Sequence, residues 1–226
     1  MQQARRFGDR KMSLAKKGGV WESKTWRQAL EALPAVVMGL VSLGVQKGDA
    51  VGIISRTRRE WSEADMAILA AGGVTIGIYP SASLWEMTHV VSHSELQICF
   101  VEDETLLEKL LAVREKTGLP RTMILFEPSG RPLPPDVMTL DNLMAEGRIA
   151  HEADPIRFEG IWRAVLPEDP ATIAYTSGTT GPPKGAVITH ANLYFTVMNA
   201  TQMHHYDESD FGIAFLPLTH MLQRMT

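Results

Sequence analysis

Short apolar runs and amphipathic stretches alternate along the first 126 residues of this chain. Each run is about six residues long and mostly apolar, which is typical of a strand covered on both faces. In the stretches between them, apolar side chains recur every three or four residues, which predicts helices that bury one face. The alternation predicts an α/β fold with a mainly parallel sheet and flanking helices, because parallel neighbours are joined by helical crossovers. The predicted strands are residues 50–55, 74–79, 96–101 and 121–126, and the predicted helices are residues 25–43, 57–71, 83–93 and 106–118.

Three of the predicted helices begin with a Ser or Thr followed three residues later by a Glu or Gln. Each side chain of such a pair can bind a backbone N–H group that the helix start leaves unpaired. The pattern therefore predicts three capping boxes. The pairs are Thr25 with Gln28, Thr57 with Glu60, and Ser83 with Glu86.

The second half of the chain is less regular. Residues 127–135 are rich in Pro and Gly and predict a surface loop, residues 141–150 predict a short helix, and residues 153–170 predict an irregular connector. We therefore divide the chain into a first α/β region (1–126), a connecting region (127–170) and a third region (171–226).

Composition and charge narrow the class of protein. Hydrophobic residues make up 45% of the chain and charged residues 21%, which predicts a folded globular protein. The formal net charge of -4, without a basic stripe, argues against a nucleic-acid partner. The single cysteine, Cys99, lies in an apolar run and is interpreted as a buried small hydrophobe in a reducing compartment. The polar first 17 residues lack the apolar core of a secretory signal, and no apolar stretch reaches the ~18 residues of a membrane span. We expect a cytoplasmic protein, with peripheral membrane contact left open.

The candidate chemistry lies in a loop between two predicted strands, residues 171–175 and 186–189. Its glycines let backbone N–H groups approach a ligand closely, its hydroxyl side chains can donate hydrogen bonds, and its lysine adds a positive charge on a long stem. This mixture favours the binding of a polyphosphate. The residues concerned are Thr176, Ser177, Gly178, Thr179, Thr180, Gly181, Lys184 and Gly185.

Other glycine-rich loops fit this segment less well. A Walker A loop needs Gly before its lysine and Ser or Thr after it, whereas Lys184 lies between Pro183 and Gly185. The dinucleotide fingerprint G-x-G-x-x-G is absent from the chain. An ordinary surface hairpin with glycines in its turn is the remaining alternative.

Residues 175–185, continuing into residues 189–193, resemble the signature of the adenylate-forming (AMP-binding) superfamily. Residues 216–224 are similar to a further segment of that family, Leu-Pro-Leu-x-His. Residues 43–49, 67–80 and 92–103, together with Trp61, resemble its long-chain fatty acyl-CoA synthetase branch. The resemblance implies that the chain is the amino-terminal part of the large domain of such an enzyme.

The resemblance also implies a reaction and roles for individual residues. A fatty acid carboxylate would attack ATP, with Mg²⁺ assisting, to give acyl-AMP and pyrophosphate, and the thiol of coenzyme A would then displace AMP. The eight loop residues would hold the β- and γ-phosphates, Lys184 would neutralise the departing charge, and His220 would lie beside the carboxylate. No metal ligand is assigned. The alternative for His220 is a structural histidine at a helix start. Gln223 stands where the family usually carries Glu, which puts a charged role at that position in doubt.

The chain is less than half as long as is usual for the family and stops in a predicted helix. We therefore expect the 226-residue chain to be an incomplete portion that is inactive by itself. Two other functions stay open: an acyl-AMP ligase or other adenylation domain, and a non-catalytic nucleotide-binding or regulatory module.

Overall fold

The computed structural model describes residues 2–127, 129–176, 181–204, 207 and 210–225. Within these residues the chain forms a seven-stranded sheet with helices on both faces, together with a separate two-stranded hairpin. The strands are β1 (Lys11–Lys17), β2 (Val20–Thr25), β3 (Ala50–Ile54), β4 (Val74–Ile78), β5 (Ile98–Val101), β6 (Thr122–Leu125), β7 (Val137–Thr139), β8 (Pro170–Thr176) and β9 (Lys184–Thr189). The helices are α1 (Gln2–Phe7), α2 (Trp26–Ser42), α3 (Arg59–Ala70), α4 (Leu84–His93), α5 (Glu104–Thr117), α6 (Leu140–Ala153), α7 (Pro155–Arg163), α8 (His190–His204) and α9 (Met221–Met225).

The large sheet has the strand order β7-β6-β5-β3-β4-β8-β9. All neighbours are parallel except β9, which returns antiparallel to β8. The predicted α/β fold with a mainly parallel sheet is thereby confirmed. Since the strands from β3 to β8 run in one direction, their carboxyl ends share one edge of the sheet, where α/β proteins commonly bind ligands.

Alternating side chains of the strands enter two separate cores. Ile53 and Phe100 pack on one face against α2, α3 and α6, whereas Ile54 and Val101 pack on the other against α4 and α5. This double burial explains why the four central strands are almost continuously apolar. Cys99 is fully buried on the second face, and burial raises the pKa of its thiol, as expected for a small hydrophobe rather than a nucleophile.

Helices α2 and α6 cross in backbone contact through two glycines. A Cβ atom built on Gly147 would lie 1.8 Å from the carbonyl oxygen of Ala35, and one built on Gly39 would lie 2.6 Å from that of Leu143. Neither position has room for a side chain. The crossing packs α2 against α6 on the face of the sheet that carries the first core.

Two capping boxes are confirmed and the third is wrong. Thr25 and Ser83 each accept the predicted backbone N–H group, at 3.2 Å in both cases. At the third helix, α3 begins at Arg59, and the hydroxyl group of Thr57 instead donates to the carbonyl oxygen of Leu216 at 2.7 Å. A long-range contact has replaced the local cap.

Residues 127–170 contain more regular structure than the sequence predicts. Strand β7 extends the large sheet beside β6, α6 covers the predicted short helix, and α7 occupies part of the predicted connector. The side chain of Asp154 caps α7 by accepting the N–H of Arg157 at 3.2 Å, and Pro155 occupies its first turn. The division into three regions stays a prediction.

Candidate functional site

The glycine-rich loop joins β8 to β9 in an antiparallel hairpin at the carboxyl edge of the sheet. Thr176 and Lys184 are paired across the last position of the hairpin, and both are exposed. A hydroxyl group and an ammonium group therefore flank the entrance to the loop. Gly181 has a positive φ of 98°, which a residue with a side chain rarely adopts. Four of the predicted binding residues, Ser177, Gly178, Thr179 and Thr180, lie outside the described residues.

Gly185 is needed for packing within the hairpin. A Cβ atom at this position would lie 2.6 Å from Cγ2 of Ile173 and 3.3 Å from Cζ of Tyr175. Glycine therefore lets these β8 side chains lie against β9, next to Lys184. The structure gives Gly185 this role in addition to the predicted contact with phosphate, which stays a prediction.

Helix α4 supports both ends of the loop through two histidines. Nε2 of His89 lies 2.8 Å from the carbonyl oxygen of Pro183, and Nδ1 of His93 lies 2.8 Å from the hydroxyl oxygen of Tyr175. Because a carbonyl oxygen only accepts, Nε2 of His89 carries the proton. Burial raises the pKa of the Tyr175 phenol, which therefore remains protonated at neutral pH.

His89 and His93 are not among the site residues predicted from the sequence. A signal was present, since Trp85, His89 and His93 recur every four residues in a predicted helix and so share one face. In the structure the ring of His89 stacks on Trp85, with centroids 6.2 Å apart, and both histidine rings meet Tyr175 edge-on. The pattern identifies a shared face but not the element against which it packs.

The segment that carries His220 lies on β4, the strand next to β8. The methyl group of Thr219 covers Gly77, where a Cβ atom would lie 3.0 Å from it. His220 itself is exposed, and its backbone N–H donates to the carbonyl oxygen of Pro217 at 2.8 Å. The hairpin and the His220 segment thus lie on adjacent strands of one sheet.

Gln223 holds the start of this segment. Its side-chain oxygen accepts the backbone N–H groups of Phe215, at 3.2 Å, and Leu216, at 3.1 Å. A neutral amide oxygen is sufficient for both bonds. The exchange of Glu for Gln is therefore compatible with a structural role here.

A buried polar chain connects the His220 segment to the hairpin. Arg224 binds Asp65 with two hydrogen bonds, one of them from Nε at 2.7 Å, and the side chains are only 7% and 9% exposed. The hydroxyl of Thr75 donates to Asp65 at 2.7 Å, and the hydroxyl of Thr172 donates to the backbone oxygen of Thr75 at 2.7 Å. Helix α9 is thereby tied to α3, β4 and β8.

A second charged cluster at the carboxyl edge is satisfied internally. Glu102, which follows β5, accepts the backbone N–H of Arg56 at 2.6 Å and its Nε at 2.8 Å. Burial opposes ionisation of Glu102, but the hydrogen bonds from Arg56 outweigh it and lower the pKa of the carboxyl group. Arg58 pairs with Glu60 and Glu127, both at 2.8 Å. These arginines already have carboxylate partners, so their charges are neutralised within the protein. The cluster is therefore a poor candidate for an anion-binding site.

The described residues offer no carboxylate set for Mg²⁺. Within the described parts of the chain, no group of three His, Cys, Asp or Glu residues is placed to hold a metal ion. Residues 170–190 contain neither Asp nor Glu. The hairpin suits an anion through its hydroxyl and ammonium groups and does not itself fit a divalent cation.

The sequence of this chain is similar to that of known proteins. Residues 1–226 match the family model described as AMP-binding enzyme. A long-chain-fatty-acid–CoA ligase of Mycobacterium bovis is 36% identical over 208 residues, which are 91% of this chain and 33% of that protein. The long chain acyl-CoA synthetase 7, peroxisomal, of Arabidopsis thaliana is 32% identical over 91% of this chain and 29% of its own length. The chain thus spans about a third of the length of the curated relatives that it matches.

Solved structures share the fold. A long-chain-fatty-acid–CoA ligase from Archaeoglobus fulgidus superposes with a TM-score of 0.80 at 22% identity, over 99% of this chain and 42% of that one. The structure of ATP-bound MatB from Rhodopseudomonas palustris gives a TM-score of 0.75 at 24% identity, over 99% of this chain and 41% of that one.

Proposed function

Because this chain belongs to the AMP-binding enzyme family, we propose that the protein activates a fatty acid carboxylate with ATP and transfers the acyl group to coenzyme A. The observation that carries the proposal is the β8–β9 hairpin, in which Lys184 and Thr176 face each other at the carboxyl edge of the sheet. The 36% identity to a long-chain-fatty-acid–CoA ligase supports the fatty acid as substrate. A cytoplasmic location belongs to the same proposal and is supported by the single buried cysteine.

In the first step, a carboxylate oxygen of the fatty acid attacks the α-phosphorus of ATP. The bond from that phosphorus to the bridging oxygen breaks, and pyrophosphate leaves with the electron pair. The loop residues bind the β- and γ-phosphates, and the ammonium group of Lys184 neutralises the charge that develops on the leaving group. His220, exposed on its segment over β4, lies beside the carboxylate.

In the second step, the sulfur of coenzyme A attacks the acyl carbonyl carbon. AMP leaves with the electrons of the acyl–oxygen bond, and the thiol proton is released. Because pyrophosphate has already left, the β8–β9 hairpin has no direct part in this step.

Gln223 gives no support to the alternative of a non-catalytic module. Its side chain holds the backbone of Phe215 and Leu216 through an oxygen atom that a neutral amide supplies as well as a carboxylate does. The loss of a negative charge there is compatible with an intact site. The acyl-AMP ligase remains the second candidate, because its first step is the same.

The test is ATP–pyrophosphate exchange by the full-length protein that carries this chain. We expect exchange that depends on a long-chain fatty acid, and an acyl thioester once coenzyme A is added. Exchange without thioester would indicate an acyl-AMP ligase. Nucleotide binding without any exchange would overturn the proposal and indicate a regulatory module.

A substitution at His89 tests whether α4 supports the loop. His89→Leu removes the donor to Pro183, and the loss of one neutral hydrogen bond predicts an increase of about fivefold in KM for ATP. His89→Gln should restore most of the affinity, because its amide N–H can reach the same carbonyl oxygen. Steady-state kinetics with varied ATP provide the measurement.

Ser92→Ala, on the exposed side of the same helix, serves as the matched control and should leave KM unchanged. A His89→Leu protein that keeps the wild-type KM for ATP would show that the contact with Pro183 does not support nucleotide binding.

A further inference from the structure

Positive charge is concentrated at the start of the chain. Residues 1–27 contain eight Lys or Arg and two Asp or Glu, whereas residues 28–226 contain 14 and 24. The formal charge is therefore +6 in the first stretch and -10 in the rest. The net charge of -4 conceals this separation.

Residues 11–25, which hold four of these eight basic residues, form the β1–β2 hairpin. Its strands are joined through Gly18 and Gly19, which have positive φ values of 56° and 86° and make a tight turn. Lys16 is paired with Trp21, and Leu14 with Ser23. Because side chains alternate along a strand and paired residues share a face, Leu14, Lys16 and Trp21 lie on the same face.

The opposite face of this hairpin binds helix α3. Nε of Arg59 donates to the hydroxyl oxygen of Ser13 at 3.1 Å, and Lys24 pairs with Glu63 at 2.7 Å. Ser13 and Lys24 are cross-strand partners on that face. The face that carries Leu14, Lys16 and Trp21 is therefore directed away from the body of the protein.

The outward face exposes two large apolar side chains beside a lysine. Trp21 is 64% exposed and Leu14 is 46% exposed, whereas Val20, which is 66% exposed, is paired with Lys17 and lies on the other face beside the turn. Nζ of Lys16 lies 6.0 Å from the centre of the Trp21 ring. We refer to Leu14, Lys16 and Trp21 as the hairpin tip.

We propose that the hairpin tip is a docking surface for an anionic lipid bilayer. Indole rings prefer the boundary between headgroups and acyl chains, where the apolar ring is buried and the N–H stays hydrated. Leu14 enters the same layer, and Lys16 approaches the anionic headgroups. Charge complementarity selects an anionic surface. Residues 28–226 of this chain, with their negative net charge, are repelled from that surface, so the β1–β2 hairpin is oriented toward it.

A bilayer suits this surface better than a nucleic acid does. Leu14 would gain little from contact with phosphates and sugars, where binding rests on basic and polar groups. The inference goes beyond the proposed function, because a vesicle is bound through the hairpin whether or not the protein activates a fatty acid.

Flotation with lipid vesicles tests the proposal on the full chain. Vesicles of phosphatidylcholine mixed with phosphatidylserine should bind the protein, and vesicles of phosphatidylcholine alone should not. We expect Trp21→Thr to weaken binding about tenfold through loss of apolar contact. Lys16→Gln should weaken it about fivefold, and added salt should weaken it further. Thermal unfolding followed by circular dichroism checks that each variant is folded.

Matched controls lie elsewhere on the surface. Ile156→Thr removes an apolar side chain that is 82% exposed, and Lys116→Gln removes an exposed lysine from α5. Neither should alter binding. Exposed apolar residues such as Phe211 and Ile213 would bind both kinds of vesicle alike, so the preference for phosphatidylserine separates the two surfaces.

Three results would overturn the proposal. The wild-type chain could fail to prefer phosphatidylserine, or both tip variants could bind as tightly as the wild type. In the third, duplex DNA could bind the wild-type chain as tightly as the anionic vesicles do and compete with them, which would make the hairpin a general polyanion site.

Discussion

Replacing Lys184 with alanine is expected to lower kcat/KM for ATP in adenylate formation by about a hundredfold or more, the size of effect seen when one group that stabilises developing charge is removed. The ammonium group is exposed at the end of β9, opposite Thr176. Pyrophosphate leaves with a high negative charge, and Lys184 is the only cation in residues 170–189. The measurement is ATP–pyrophosphate exchange by the full-length protein.

Two further variants define the cause of this loss. Lys184→Arg keeps the charge but changes its shape, so it should recover part of the activity. Lys116→Ala removes an exposed lysine on α5 and should leave exchange unchanged. Because Lys184 is exposed, the alanine variant should unfold at the wild-type temperature. Full exchange activity in Lys184→Ala would remove this residue from the mechanism.

The substitution Asp65→Ala should lower the free energy of unfolding by about 3–5 kcal/mol, since it leaves the buried guanidinium of Arg224 without its carboxylate. Both side chains of the pair are less than a tenth exposed. The hydroxyl group of Thr75 loses its acceptor at the same time. Equilibrium unfolding in urea provides the measurement.

Glu63→Ala on the same helix is the matched control. Its ion pair with Lys24 is more exposed, so its loss should lower the unfolding free energy by about 1 kcal/mol or less. Replacing Asp65 and Arg224 together with leucine should recover much of the stability, because no unpaired charge is then buried. An unfolding free energy for Asp65→Ala within 1 kcal/mol of the wild type would contradict the burial of this pair.

The central strands could be predicted because a strand that is buried on both faces has apolar residues at consecutive positions. Residues 50–55 and 96–101 are apolar at nearly every position, and the structure places them as β3 and β5 between two cores. Strand β2 lacks this signal. Its first four residues are exposed, so no pattern of apolar residues distinguishes it from a loop.

Long-range contacts explain the failure at the third helix start. Thr57 and Glu60 have the spacing of a capping box, but Thr57 donates to Leu216 and Glu60 binds Arg58. The contact with Leu216, 159 positions away, depends on the final fold. The start of α7, by contrast, has local signals in Asp154 followed by Pro155, a common pairing at helix starts, and in Phe158, Ile161 and Trp162, which follow at helical spacing.

In the candidate site, too, local features could be predicted from the sequence and long-range contacts could not. Lys184 and the glycines could be identified from residue type and order, because polyphosphate binding needs those groups close together in the chain. The support from His89 and the chain from Arg224 through Asp65 to Thr75 could not, since they join residues up to 159 positions apart. The roles of Ser177, Gly178, Thr179 and Thr180 stay predictions.

The contact between α2 and α6 restricts which residues evolution can use there. At Gly39 and Gly147 the limit is one of volume and not of polarity, because even a methyl group would overlap a carbonyl oxygen. Drift to alanine, the mildest change available, would require the two helices to separate. Both positions are therefore closed to gradual substitution, and a larger residue at either could be accommodated only if the whole crossing were rebuilt.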